Sequence, residues 1–352
     1  MKILCYGAGA VGSFLGGHLS AAGHDVTLVV RPTAVAPLRR HGLALEDTHG
    51  QVVHARPRIV TGAADLCHDR TPPDLVLLTL KAYDVEAAIP GVTAVCGPET
   101  WVVSLQNGLG TEERLAEALG AQRVLAGAFT LSVSAATPGQ VVQHTTAGGV
   151  SLAELAPLAK RPASLAAVFT SAGLRVRFFP NWRALKWSKL LLNLLANASC
   201  AIVDLTPAEL FRHPGLFRLE QRAFGEARRV MRRLRLRPVD LPGYPVRLLC
   251  AAMALPAPLA RPLIAGRVGG GRGDKRPSLA LDLARGKPQS EVSFLNGAVA
   301  RIAAEHGLCA PTNARLADTL QAILAGTTDR EAFARQPEAL LSAVVTTRSQ
   351  GS

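Results

Sequence analysis

The chain has 352 residues, of which 48% are hydrophobic and 18% charged, and its formal net charge is +13. That composition excludes a globally disordered polymer, and that length exceeds what one compact core usually holds, so two domains are expected. The positive charge is spread along the chain, and no helix-turn-helix, zinc-finger or RNA-binding signature accompanies it, so nucleic acid is not expected as a partner. The densest basic stretch, "EARRVMRRLRLR" at 226–237, reads as an amphipathic helix with a solvated arginine face.

Cysteines stand at 5, 67, 96, 200, 250 and 309, with no CxxC or metal-ligand spacing. They read as reduced core residues of a cytoplasmic protein, with no metal site. The apolar segment 248–266 is broken by Pro256, Pro258, Arg261 and Pro262. It falls short of the roughly 20 apolar residues that a membrane span needs, so no membrane association is expected.

In chain order, Ile3–Tyr6 is a short apolar run of strand type. It is followed by GAGAVG: Gly7, Ala8, Gly9, Ala10, Val11 and Gly12. A helix pattern with Val11, Phe14, Leu15 and Leu19 on one side comes next. Gly23 stops it, and "DVTLVV" supplies a second strand. A GxGxxG between a strand and a helix is the dinucleotide fingerprint. Gly7 permits the tight turn, Gly9 lets backbone approach a pyrophosphate, and Gly12 lets helix and strand pack closely. The helix N-terminus offers free N–H groups to the phosphates. At the end of the second strand, where an NAD site usually carries an acid, the chain has Arg31, with Arg39 and Arg40 close behind. An arginine cannot accept from a ribose hydroxyl but suits a 2′-phosphate, which favours NADP(H).

The alternation continues. "DLVLLTLKAYD" at 74–84 reads as a strand ending at Lys81, and "WVVSLQNGLG" at 101–110 as one ending at Asn107. In an open parallel sheet ligands sit beyond the carboxyl ends of strands, which makes Lys81 and Asn107 candidate contacts. "RVLAGAFTLSVSA", "QVVQHTTAGGVSL" and "LRVRFFP" then read as strands that extend the sheet to about Pro180. The expected first domain is 1–180, a Rossmann-type doubly wound sheet.

From 181 to 350 the pattern predicts an all-α domain. Thr206 and Pro207 form a cap and first turn. Helices follow near 215–237 and 241–255, then at "SLALDLARG", "SEVSFLNGAVARIAAEHG" and "TNARLADTLQAIL". The glycine-rich basic loop 268–278 is no Walker A sequence, because no GK[ST] closes it. In "WSKLLLNLLANAS", 187–199, Lys189, Asn193 and Asn197 are spaced four apart. On one continuous helix they share a face. A buried lysine with two buried carboxamides is costly unless paired or ligand-facing, and a cleft beside the first domain would supply a ligand. Helical phase does not separate Lys189 from Lys186; both project toward the asparagines.

These motifs together resemble the ketopantoate reductase (2-dehydropantoate 2-reductase) family. GAGAVG, "TLKAYD", "QNGLG", "WSKLLLNLLANA" and "PSLALDLARGKPQSEVSFLNGAV" followed by "HGLCAPTN" carry the resemblance over nearly the whole chain. It implies an NADP-dependent oxidoreductase of the CH-OH class that reduces a small 2-oxo acid. Ketopantoate is the substrate implied, giving pantoate for pantothenate and coenzyme A. By position, Lys189 matches the family's general acid and Glu291 its active-site carboxylate, near substrate and cofactor. Asn193, Asn197 and Ser278 match substrate contacts. Lys81 and Asn107 match residues near the nicotinamide and the substrate carboxylate. One departure stands three residues before Ser278, where the family often has Asn and this chain has Lys275. The alternatives are a hydroxyacid or opine-type dehydrogenase and, from another class, an NADPH-binding sensor. The apolar helices of the second half either pair two chains into a homodimer or pack within one.

Overall fold

The computed structural model describes residues 1–66, 69–156, 163–269 and 276–345. The chain folds into two compact units. The first comprises Met1–Gln106, Gly110–Lys186 and Leu241–Tyr244; the second comprises Asn107–Leu109, Trp187–Asp240 and the chain from Pro245 onward.

The first unit opens with β1 (Lys2–Tyr6), α1 (Ala10–Ala21), β2 (Asp25–Val29) and α2 (Pro32–His41). Next come β3 (Leu43–Glu46), β4 (Val52–Ala55), β5 (Arg58–Val60), β6 (Leu75–Leu78), α3 (Val85–Val95), β7 (Trp101–Ser104) and α4 (Thr111–Leu119). It continues with β8 (Val124–Phe129), β9 (Val133–Ala135), β10 (Gln140–Gln143), β11 (Val150–Glu154), α5 (Ala163–Ser171) and β12 (Val176–Phe178). The main sheet has the order β12-β11-β8-β7-β6-β1-β2-β5. From β5 to β8 all pairs are parallel; β11 runs antiparallel to β8, and β12 lies parallel to β11.

The central strands are buried on both faces, as a parallel sheet with helices on each side requires. Ile3 and Cys5 point into a cluster with Phe14, Leu15 and Phe169, whereas Leu4 joins Val76, Val92 and Leu115 on the opposite face. This alternation follows from the two-residue period of a strand.

Two expectations for this half need correction. "LSVSA" and "QVVQ" do not extend the main sheet. They form β9 and β10 of a separate sheet ordered β4-β3-β10-β9, to which the β3–β4 hairpin contributes. That sheet packs against α1, with Leu43 and Leu45 in contact range of any β-carbon at Gly17. Short alternating strands do not reveal which of two sheets they join. The strands expected to end at Lys81 and Asn107 end instead at Leu78 and Ser104. Each candidate residue therefore lies three positions beyond its strand.

After α6 (Trp182–Leu194) the second unit is helical: α7 (Ala198–Val203), α8 (Pro207–Arg212), α9 (Pro214–Arg233), α10 (Val246–Ala254) and α11 (Ala257–Gly269). The remainder is α12 (Ser278–Ala284), α13 (Asn296–Glu305), α14 (Pro311–Leu324) and α15 (Pro337–Val345). Thr206 caps α8 in a reciprocal capping box with Glu209, and Pro207 occupies the first turn. On α9 the arginines 218, 222, 229, 232 and 233 are exposed, while Phe217, Phe224, Val230 and Met231 are buried. The helix expected from about 241 begins only at Val246, because Leu241–Tyr244 closes a tight turn through two backbone hydrogen bonds. Among the described residues no helix is long and apolar enough to cross a membrane.

Candidate active site

The first unit supplies the glycine turn. Gly7 has φ +112°, a left-handed conformation that favours glycine. A β-carbon on Gly12 would collide with the Gly7 carbonyl oxygen and Thr79 Oγ1, and Thr79 Oγ1 itself donates to Gly7 O over 2.6 Å. Gly12 is therefore demanded by packing. Gly9 is not: a β-carbon there would meet nothing within 4 Å, and the residue is exposed. Gly9 lies immediately before α1, whose first turn (Ala10, Val11) leaves N–H groups without helical acceptors. The shape fits a phosphate group resting on Gly9 and the helix N-terminus. Ala8 is half-buried beside them, and its carbonyl accepts from Ser13 Oγ.

Arg31 stands two residues beyond β2 as the N-terminal boundary of α2, with an exposed side chain. Arg39 is engaged with the Ile59 carbonyl at 3.4 Å. Lys81 is half-buried and opens the short 3₁₀ turn Ala82–Asp84.

The second unit assembles the carboxamides. Asn193, half-buried on α6, donates through Nδ2 to Asn107 Oδ1 over 3.0 Å. The Asn107 loop is held in turn by Leu109, whose N–H donates to the Phe294 carbonyl at 3.0 Å. Phe294 closes the 3₁₀ turn that begins at Glu291, and Glu291 is buried at 2% exposure. Lys189 lies one turn before Asn193 on α6 and is half-buried.

The expected single line of Lys189, Asn193 and Asn197 is corrected by a break. The helix stops at Leu194, Ala196 adopts φ +54°, and α7 starts anew at Ala198. Glu220 on α9 stabilises the break: its carboxylate accepts from the Ala196 N–H at 2.7 Å and from the Ser199 hydroxyl. Asn197 sits in the joint, 6% exposed. Its Oδ1 accepts from the Leu279 N–H at 3.1 Å, and its Nδ2 lies 3.5 Å from Ser278 Oγ. Asn197 thus caps the start of α12 and holds Ser278, itself exposed. Lys275 lies outside the described residues.

The expectation that Lys186 and Lys189 both project toward the asparagines is also corrected. Lys186 is 1% exposed and forms an ion pair of 2.7 Å with Glu112 Oε1 in the first unit. Glu112, Glu220 and Glu226 were not singled out from the sequence. Glu226 accepts from the N–H groups of Thr312 and Asn313 and so caps α14. Asn313 also bonds Asn296 and the Ala223 carbonyl, which gives the "PTN" of the C-terminal signature a structural role. One signal was readable: Glu220 falls among Leu216, Phe217, Leu219 and Phe224, on the apolar face of its helix.

A Rossmann sheet that opens with a strand–glycine turn–helix unit, followed by a helical unit carrying a lysine and carboxamides, is the arrangement of a nicotinamide-dependent oxidoreductase. The family model Ketopantoate reductase PanE/ApbA matches residues 3–157, and Ketopantoate reductase PanE/ApbA C terminal matches residues 181–324. The chain belongs to the ketopantoate reductase family.

It is 28% identical over 323 residues to the 2-dehydropantoate 2-reductase of Halobacterium salinarum, covering 91% of this chain and 98% of that one. The crystal structure of a PanE/ApbA family ketopantoate reductase from Ralstonia eutropha JMP134 is 29% identical and superposes with a TM-score of 0.78, over 93% of this chain and 99% of that chain. D-mandelate dehydrogenase in ternary structure with NADH and anilino(oxo)acetate shares the fold at 24% identity, with a TM-score of 0.77 over 93% of this chain and 99% of that one.

Proposed function

We propose that the chain reduces a 2-oxo acid with NADPH, and that ketopantoate, reduced to pantoate for pantothenate biosynthesis, is the substrate. The observation that carries the cofactor reading is Arg31, an exposed guanidinium where an acid would serve NAD. Exposure leaves it able to pair with a 2′-phosphate through forked, charged hydrogen bonds. The glycine turn at 7–12 and Arg31 would hold the dinucleotide, which when bound would supply the hydride for the ketone.

The chain's own residues manage the charge that develops on the ketone oxygen. Lys189 holds a proton for that oxygen, first stabilising the charge and then donating. Lys189 lies half-buried one turn before Asn193 on α6, beside the carboxamide that bonds Asn107, and this position supports the assignment. Asn107, Asn193 and Ser278 offer neutral donors and acceptors to carboxylate and hydroxyl groups. Asn197 acts on Ser278 through its contact with it. Glu291 accepts from a substrate hydroxyl or orients the lysine, and Lys81 serves the nicotinamide side.

The kinship with relatives named 2-dehydropantoate 2-reductase supports the substrate. The same fold in D-mandelate dehydrogenase keeps another 2-oxo acid as the second reading.

The test is steady-state oxidation of NADPH and of NADH by purified protein with ketopantoate beside a panel of 2-oxo acids. The proposal expects turnover fastest with ketopantoate and NADPH, and a fall in kcat of about 10²–10⁴ in Lys189→Ala. NADPH binding with turnover of another 2-oxo acid only would overturn the substrate. Full activity in Lys189→Ala would overturn the proton donor.

A further inference from the structure

The Lys186–Glu112 pair is among the most buried groups described, with side chains 1% and 0% exposed. Its surroundings are specific. The Lys186 ammonium also donates to the Gln106 carbonyl at 2.6 Å. Ser104 Oγ lies 2.7 Å from Glu112 Oε1. The Gln106 carboxamide donates to the Leu78 carbonyl at 2.8 Å and lies 3.3 Å from that of Leu80. One network therefore ties the segment beyond β6 to the segment beyond β7.

A buried ion pair is a poor stabiliser. Desolvating two charges offsets most of their attraction, and apolar residues of similar size often serve stability as well. What an apolar pair cannot do is hold a carbonyl. The carbonyl held here stands at a particular place. The chain leaves the first unit at Gln106 and again at Lys186, and these two exit residues are bonded to each other. The residue after Gln106 is Asn107, which accepts from Asn193.

We infer that Lys186, neutralised by Glu112, is a positioning residue: it fixes the Gln106 peptide and thereby the setting of Asn107, and it takes no part in proton transfer. The inference rests on the reading of Asn107 as a substrate contact.

The experiment replaces the pair by apolar residues, Lys186→Met with Glu112→Leu. Neither side chain is then left charged without a partner. Expected are a melting temperature near that of the wild type, an unchanged NADPH dissociation constant by fluorescence titration, and kcat/KM for ketopantoate lower by about tenfold or more. The Leu109 amide should also exchange faster, since its bond to Phe294 depends on the loop setting. Wild-type kcat/KM together with wild-type exchange at Leu109 in the folded double variant overturns the inference.

Should that variant not fold, Lys186→Arg keeps the charge. A guanidinium cannot hold both partners in the space of an ammonium, so kcat/KM should fall several-fold with NADPH binding unchanged. Wild-type kcat/KM there overturns the inference. If the wild-type protein does not turn over ketopantoate, the substrate reading has failed, and the exchange rate at Leu109 still decides the positioning role.

Discussion

Asn193 and Asn107 face each other across a 3.0 Å hydrogen bond in which one carboxamide donates and the other accepts. The bond uses one of two Nδ2 protons on Asn193 and one lone pair of Asn107 Oδ1, and each carboxamide has further donor and acceptor positions. Asn193→Ala should raise KM for the 2-oxo acid by about tenfold, the value of one such hydrogen bond, and leave the NADPH dissociation constant unchanged. Initial rates over a substrate series check this. An effect on NADPH binding alone would place the pair elsewhere in the chemistry.

The glycine turn offers a paired test. Gly12→Ala drives a β-carbon into Gly7 O and Thr79 Oγ1, so the variant should lose several kcal/mol or fail to fold. Gly9→Ala meets no protein atom within 4 Å, so its melting temperature should equal that of the wild type. Its dinucleotide affinity should nevertheless fall at least about tenfold, if backbone at Gly9 touches phosphate. Thermal unfolding with and without NADPH separates the two effects.

Arg31→Ala should lower the ratio of NADPH to NADH catalytic efficiency by about 10- to 100-fold. That matches the roughly 1.5–3 kcal/mol of a charged hydrogen bond. Because the side chain is exposed, stability should not change. A ratio unmoved by the substitution would show that another group selects the cofactor.

Burial pushes the Glu220 carboxyl from its ordinary 4.5 up to about 7, against hydrogen bonds from Ala196 and Ser199 that pull it down. The folded protein therefore binds this proton more tightly than the unfolded chain does. The stability it contributes is complete below pH 4.5 and is lost as the pH rises to about 7, by about 3 kcal/mol. In Glu220→Gln the denaturation midpoint should vary less across that window. Identical pH profiles for variant and wild type would refute the assignment.

What could be read from the sequence was local. The strand–glycine turn–helix unit and the Thr206–Pro207 helix start are spelled within a few residues, and the structure has both. Strand–helix alternation gave the Rossmann sheet but not the second sheet, because pairing partners such as β3 and β10 lie far apart in sequence. The lysine helix was the least legible part. Phase arithmetic assumes an unbroken helix, and the break at Ala196 is made by a carboxylate 24 residues away. Likewise Lys186 and Lys189 differ only in their tertiary partners, and Glu112 is remote from both in the chain. Even so, residues chosen from sequence alone come together in pairs: Asn107 with Asn193, and Asn197 with Ser278.

The position of Lys186 also bears on how halves of such proteins can be recombined. A seam cut at Pro180, where strand patterns give way to helical ones, would take this lysine from a different parent than Glu112 and Gln106. A seam between Lys186 and Trp187 keeps all three from one parent and falls at one boundary of the two units, with Asn107–Leu109 and Leu241–Tyr244 then to be exchanged as well. Exchange of helical halves between relatives therefore has a natural splice point in mid-helix.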